Sequence, residues 1–165
     1  MERGGVRPGE LTVTPDPGAL PGDARVVFIG RIRTPWRTLA DCPKNVRTAR
    51  EKGGTARLEI EAPYRPGLAG LVGVSHLVVL YWMDRSRRDV IVQIPRHAGG
   101  PRGVFSLRSP ARPNPIAMGV VPLLSLDLDA GQLEIGMLDC LDGTPLLDVK
   151  PYVPSVDAIA YAAFD

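Results

Sequence analysis

Two groups of residues have the types and spacing to do chemistry. The first lies in FSLRSPARPNPIAM, residues 105–118, where Arg108 and Arg112 stand among prolines at 110, 113 and 115. Proline fixes its own φ and biases the preceding residue, here Ser109, Arg112 and Asn114, toward an extended backbone. A loop so restrained loses little entropy on binding. It displays guanidinium forks, a hydroxyl and an amide, as a preformed ligand-binding loop would. The alternative is a rigid connection between strands, with arginines that merely solvate it. The second group is acidic, with Asp139, Asp142 and Asp148 around the turn LDGTP. Gly143 there suits a positive φ, and Asp142 before it can close an Asx-type turn.

The elements that must position these groups read as many short strands. Residues 1–24, rich in Gly, Pro and acids, read as an arm with one short strand near Leu11, ahead of a domain over 25–165. RVVFIGRIR at 25–33 reads as a strand ended by Thr34-Pro35. Residues 36–54 form a long basic segment, of the kind that often binds ligands, with a short helix expected within 43–51. ARLEIEA at 56–62 alternates as a half-buried strand does. Residues 63–73 are turn-rich, with Leu68 and Leu71 expected inward. HLVVLYWM at 76–83 reads as a central strand, with His76 structural at its start, and DVIVQI at 89–94 as another. A loop spans 96–103. Residues 117–128 read as a long strand in which Pro122 demands an edge or a bulge. A turn at 129–131 makes a hairpin with 132–138. A short strand follows at 146–149, and Ser155 is placed to cap a helix through Phe164. This pattern is mainly β, and alternation alone does not separate a barrel from an open sheet.

The chain has 165 residues, 44% hydrophobic and 23% charged, which suits one globular domain with its own core. Its 18 glycines and 17 prolines match the frequent turns. No apolar run is long enough to span a membrane, and the N-terminus lacks the apolar stretch of a signal peptide. Cys42 and Cys140 fall in no CxxC pattern and are expected to be free thiols of a reducing compartment, not metal ligands. These features point to the cytoplasm. No P-loop, zinc motif, nucleophile elbow or HExxH occurs.

A net charge of +2 hides an asymmetry. Nine basic residues between Arg25 and Arg57 face only Asp41 and Glu51, and seven arginines between Arg85 and Arg112 face only Asp89. From Val120 onward Lys150 alone faces eight acids. A basic surface of this kind favours a phosphate-bearing partner such as RNA, a solvated charged face being the plainer reading.

FSLRSPARPNPIAMGVV resembles the signature segment of the TsaA-like family, also called TrmO. LDCLDGTPLLDVKPYVP, residues 138–154, resembles that family's other strong motif, and GLVGVSHLVVLYWM, residues 70–83, its buried strand. The resemblance runs from about Val26 to Pro154. It implies a small antiparallel β-barrel with short helices and long loops, and a homodimer. It also implies methyl transfer from S-adenosylmethionine to N6 of threonylcarbamoyladenosine beside the anticodon of tRNA. Carried over by motif, the implied cofactor residues are Pro43, Lys44 and Asn45 of the basic loop and Met83, Asp84 and Arg85 at the end of the buried strand. Arg108, Met118, Asp139, Cys140, Leu141 and Asp142 complete them. Asp84 and Arg85 depart from the neutral or histidine side chains common there, and Ala117 stands where the family has glycine. Methyl transfer at a protonated nitrogen is helped by a base, and Asp142 is the candidate ahead of Asp148. Methylation of a small molecule and non-catalytic binding of the cofactor are the alternative functions.

Overall fold

The computed structural model describes residues 7–22, 24–95 and 99–159. In chain order its elements are β1 (Leu11–Thr12), β2 (Gly30–Arg33), α1 (Val46–Lys52), β3 (Thr55–Ile60), β4 (His76–Trp82) and β5 (Val90–Gln93). Then come β6 (Arg102–Gly103), β7 (Ile116–Asp127), β8 (Gln132–Gly136), β9 (Thr144–Pro151) and α2 (Pro154–Asp157). Six strands close an antiparallel barrel in the order β2-β3-β8-β7-β4-β9, and β1-β5-β6 form a separate sheet. The mainly β barrel that the resemblance implies is thus the fold. By contact density the chain divides into two compact units, one of Met1–Val27 and Tyr81–Ala117, the other of Phe28–Leu80 and Met118–Asp165.

In the second unit the alternation is that of strands with one buried face. Ile32, Leu58 and Leu133, each fully buried, stand opposite one another across β2, β3 and β8. Ala56 and Ile135 form the next rung, with Arg57 and Glu134 paired on the outer face. Burying side chains of this size stabilises by about 1.5–3 kcal/mol each. Gly30 is required by close approach: a Cβ there would stand 2.0 Å from the Glu59 carbonyl oxygen. In a closed barrel Pro122 has no edge to occupy. The chain solves this with a register shift between Leu123 and Ser125 opposite β8, and a Cβ on Gly136 would lie 2.7 Å from the Pro122 ring.

In the first unit β5 is central, pairing with β1 at Leu11↔Val92 and with β6 at Val92↔Gly103. Ahead of β1 the Arg7 backbone N–H and guanidinium both donate to Glu10, with Arg7 Nε 3.0 Å from Oε1. That pairing holds the Glu10 carboxyl below the usual range, against the opposing effect of burial.

Three elements differ from expectation. The strand expected over 25–33 begins only at Gly30, and Val26 and Val27 are exposed. Just before it, Ile29 N–H donates to the Leu146 carbonyl at 2.9 Å and the Ile29 carbonyl accepts from Glu61 N–H at 3.0 Å. The helix of the basic loop starts at Val46, because Asn45 is its N-cap and accepts from Thr48 N–H at 2.8 Å. The C-terminal helix is a single turn, capped at Val153, whose N–H donates to Asp157. Ser155 lies inside that turn. Phe164, the expected end of this helix, and Arg96 of the second basic run lie outside the described residues. No helix among the described residues is long and apolar enough to cross a membrane.

Candidate functional site

The acidic turn between β8 and β9 is laced to the end of β2 by a set of hydrogen bonds. Thr34 Oγ1, buried, donates to the Cys140 carbonyl at 2.9 Å, and Trp36 Nε1 donates to the Leu138 carbonyl at 2.9 Å. Asp142 N–H donates to the Trp36 carbonyl and Gly143 N–H to the Ile32 carbonyl, both at 2.8 Å. Thr144 Oγ1 donates to the Leu141 carbonyl at 2.7 Å. Gly143 takes the expected positive φ of 78°. These bonds satisfy polar backbone in a region where Cys140 and Leu141 are buried, and they fix the turn in one shape.

Asp142 is a brace as well as a candidate base. One carboxylate oxygen accepts from Thr34 N–H at 3.2 Å, and the other lies 2.5 Å from an Arg37 nitrogen and 3.8 Å from one of Arg33. Arg33 also bonds Glu59 at 2.7 Å, and Arg57 bonds Glu59 at 2.9 Å. Alternating charges therefore run along the outer face of β2 and β3, beside an open groove of about 810 Å³. Arg33 holds the Glu59 carboxyl below the usual range, and Glu59 in turn raises the Arg33 guanidinium.

The basic loop is tied to the same turn. Asp139 contributes, after burial, to pushing the Cys42 thiol up to about 11. Burial pushes the Cys140 thiol up as well. Both cysteines are free, as expected, and both are poor nucleophiles at neutral pH. Lys52 of α1 donates to the Asp41 carbonyl at 3.1 Å, with its ammonium 4.9 Å from the Trp36 ring centre. Arg50 donates to the Val120 carbonyl on β7, two residues beyond Met118. In the barrel unit the structure thus links the segments carrying Pro43, Lys44 and Asn45, Met118, and Asp139–Asp142. Pro43 is buried, while Lys44 and Asn45 are exposed.

Met83, Asp84, Arg85 and Arg108 belong to the other unit. Met83 N–H donates to the Pro115 carbonyl at 2.9 Å, and Ser86 N–H to the Met83 carbonyl at 2.9 Å, so 83–86 is a turn against the proline-rich loop. Arg88 donates to the Pro113 carbonyl at 2.6 Å and lies 5.4 Å from the Trp82 ring centre. Arg108 borders a hollow of about 280 Å³ with Arg7, Gln93 and Ser109. Arg112, read as either a ligand contact or a solvated arginine of a rigid connection, is a clamp: it donates to the Val104 carbonyl and, at 2.7 Å, to that of Leu107. Its buried Nε has no hydrogen-bond partner.

Reading by residue type missed Thr34, Trp36, Arg37 and Arg88, which hold the candidate loops in place. Their partners lie 102 residues away for Trp36 and 105 for Arg37, so no local spacing marks them. The count of cations in the first basic run also overstates its free charge, because Arg33, Arg37, Arg47 and Arg57 are paired with carboxylates.

Residues 31–158 match the tRNA-methyltransferase O N-terminal domain. The chain is 44% identical over 135 residues to a probable S-adenosyl-L-methionine-binding protein, VirR, of Rhizobium radiobacter, covering 81% of this chain and 74% of that one. It is 36% identical over 143 residues to the tRNA (adenine(37)-N6)-methyltransferase of Escherichia coli, covering 82% and 60% respectively. The crystal structure of TrmO from Pseudomonas aeruginosa superposes with a TM-score of 0.68 at 33% identity, over 88% of this chain and 62% of that one. The chain therefore spans about three-fifths of the length of the E. coli enzyme and of the solved TrmO chain. With a closed barrel and a domain match over most of its length, the chain belongs to the family of the tRNA-methyltransferase O N-terminal domain.

Proposed function

We propose that this chain is an S-adenosylmethionine-dependent methyltransferase that acts on tRNA, at N6 of threonylcarbamoyladenosine. The observation that carries this reading is its 36% identity, along 82% of the chain, to the E. coli tRNA (adenine(37)-N6)-methyltransferase. On this reading residues 25–165 are the catalytic domain, residues 1–24 an arm, and the protein a cytoplasmic homodimer.

The donor sets fit the cofactor's chemistry. S-adenosylmethionine supplies a methyl group on a sulfonium, and its other ends are an ammonium, a carboxylate, two ribose hydroxyls and an adenine. In the barrel unit the acidic turn offers the carboxylates of Asp139 and Asp142 and the fixed carbonyls of Cys140 and Leu141, acceptors suited to hydroxyls and an ammonium. Cys140 and Leu141 are buried, so they serve through backbone. Pro43, Lys44, Asn45 and Met118 complete that unit's contribution. In the other unit Arg108 is the cation for a carboxylate, with Met83, Asp84 and Arg85 beside the loop that carries it. As the base, Asp142 takes the proton that leaves the substrate nitrogen. Its oxygens accept one hydrogen bond each, from Thr34 N–H and Arg37, and a carboxylate oxygen with two lone pairs can still take that proton.

Binding of the cofactor without catalysis is the second reading, favoured by the 44% identity to VirR, which is named only as a probable binder. Purified protein incubated with S-adenosylmethionine and tRNA separates the two. The enzyme yields S-adenosylhomocysteine and methylated tRNA, whereas a binder shows calorimetric heat with no turnover. No heat with either ligand at millimolar concentration contradicts both.

A further inference from the structure

The proline-rich loop carries a recognition surface that none of the proposed cofactor residues uses. Phe105, on the 3₁₀ turn Val104–Ser106, is 81% exposed. With Arg112, Pro113, Asn114 and Ile116 it borders a hollow of about 400 Å³. The parts of this hollow are held in place. Arg112 bonds the carbonyls on either side of Phe105, those of Val104 and Leu107, and so fixes the turn that carries the ring. Arg88 anchors the opposite wall through the Pro113 carbonyl at 2.6 Å, and its Nη2 stands 3.4 Å from Asn114 Oδ1. With the amide oxygen against a guanidinium, the amide nitrogen of Asn114 is the group offered to a ligand.

We propose that this hollow takes an unpaired purine base of RNA, stacked on Phe105, with an acceptor on its edge bound by the Asn114 amide. An aromatic face stacks any base, and an asparagine amide matches the hydrogen-bonding edge of adenine. Exposed Arg102 of the same unit supplies a cation for an adjoining phosphate. The proposal rests on the tRNA reading above and deepens it by assigning residues that hold a base.

The test uses the full chain and a hairpin RNA with one 2-aminopurine in its loop. Wild-type protein quenches the probe, and Phe105→Ala weakens binding about fivefold or more, the range of a lost stacking contact. Phe105→Tyr retains binding, and Asn114→Ala weakens it. Calorimetric affinity for S-adenosylhomocysteine and the thermal midpoint stay unchanged in each variant. No quenching with wild type, or wild-type affinity for Phe105→Ala, overturns the proposal. An equal loss of S-adenosylhomocysteine affinity also overturns it, because the hollow then holds the cofactor's own adenine. So does a lower sedimentation mass for Phe105→Ala, which marks a face between copies of the chain. If the protein methylates tRNA while Phe105→Ala binds as wild type, this site fails and the enzyme reading stands. If no methyl transfer occurs but quenching depends on Phe105, the site stands and the enzyme reading fails.

Discussion

Asp142 is expected to separate chemistry from architecture in two substitutions. Asp142→Asn keeps an oxygen for Thr34 N–H, at 3.2 Å in the native protein, and removes the charge paired with Arg37 and Arg33. Those arginine side chains are 74% and 44% exposed, so the lost pairing is worth about 0–1 kcal/mol. Asp142→Ala also leaves the N–H of Thr34, a residue 6% exposed, without its acceptor, which adds about 1–3 kcal/mol. For a chain of this size each kcal/mol moves the thermal midpoint by about 2–4 °C. The asparagine variant should therefore melt within about 4 °C of wild type, and the alanine variant clearly lower. If Asp142 is the base, Asp142→Asn turns over about 100- to 10,000-fold more slowly with S-adenosylmethionine held at saturation. Wild-type turnover in Asp142→Asn refutes the base. Equal destabilisation by Asn and Ala, measured in urea, refutes the brace.

Arg108→Ala is expected to weaken S-adenosylmethionine binding by about 1.5–3 kcal/mol, the range for a hydrogen bond to a charged group, with little change in the melting midpoint. Unchanged affinity in calorimetry with a lowered midpoint makes Arg108 structural. Gly30→Ala should destabilise by about 3 kcal/mol or prevent folding, because its Cβ would meet the Glu59 carbonyl oxygen at 2.0 Å, while Gly67→Ala, with nothing within 4 Å, serves as the tolerant control. Equal urea midpoints for the two contradict the close approach at β2–β3. Glu59 has its folded-state carboxyl depressed by Arg33, so its stabilisation is present above the unfolded value near about 4.3 and lost as pH falls through the folded value. Glu59→Gln should flatten the acid limb of stability below about pH 4.3, and an unchanged limb counts against the pairing. With the Cys42 thiol pushed up to about 11 and Cys140 buried, an aromatic disulfide reagent at neutral pH should label neither quickly before unfolding. Fast labelling of folded protein contradicts the raised Cys42 thiol and the burial of Cys140.

Much of the fold was legible because a strand with one wet face writes its period into the chain. Ala56, Leu58 and Ile60 alternate with Arg57 and Glu59, and Pro122 announced an irregularity that β7 shows as a bulge. Barrel closure was not legible in the pattern, since β4 between β7 and β9 is a long-range pairing. The motif resemblance supplied what periodicity could not. Within the site, the turn at Gly143 followed from its residue types. The inward role of Arg112 did not, because a guanidinium that binds carbonyls and one that binds a ligand look alike in sequence. The same holds for Arg37: an exposed arginine shows its partner only when residue 142 is brought to it. Asn45 carried its signal openly, an amide three residues before Thr48, yet Pro43 drew the expected helix start three residues too early.

On the proposed function, this chain transfers a methyl group to tRNA. Nucleoside mass spectrometry of threonylcarbamoylated tRNA, after incubation with the purified protein and S-adenosylmethionine, tests it most directly. The threonylcarbamoyladenosine peak should give way to one heavier by a single methyl group, with one S-adenosylhomocysteine formed for each. An unchanged nucleoside, under conditions where calorimetry shows the cofactor bound, would contradict it.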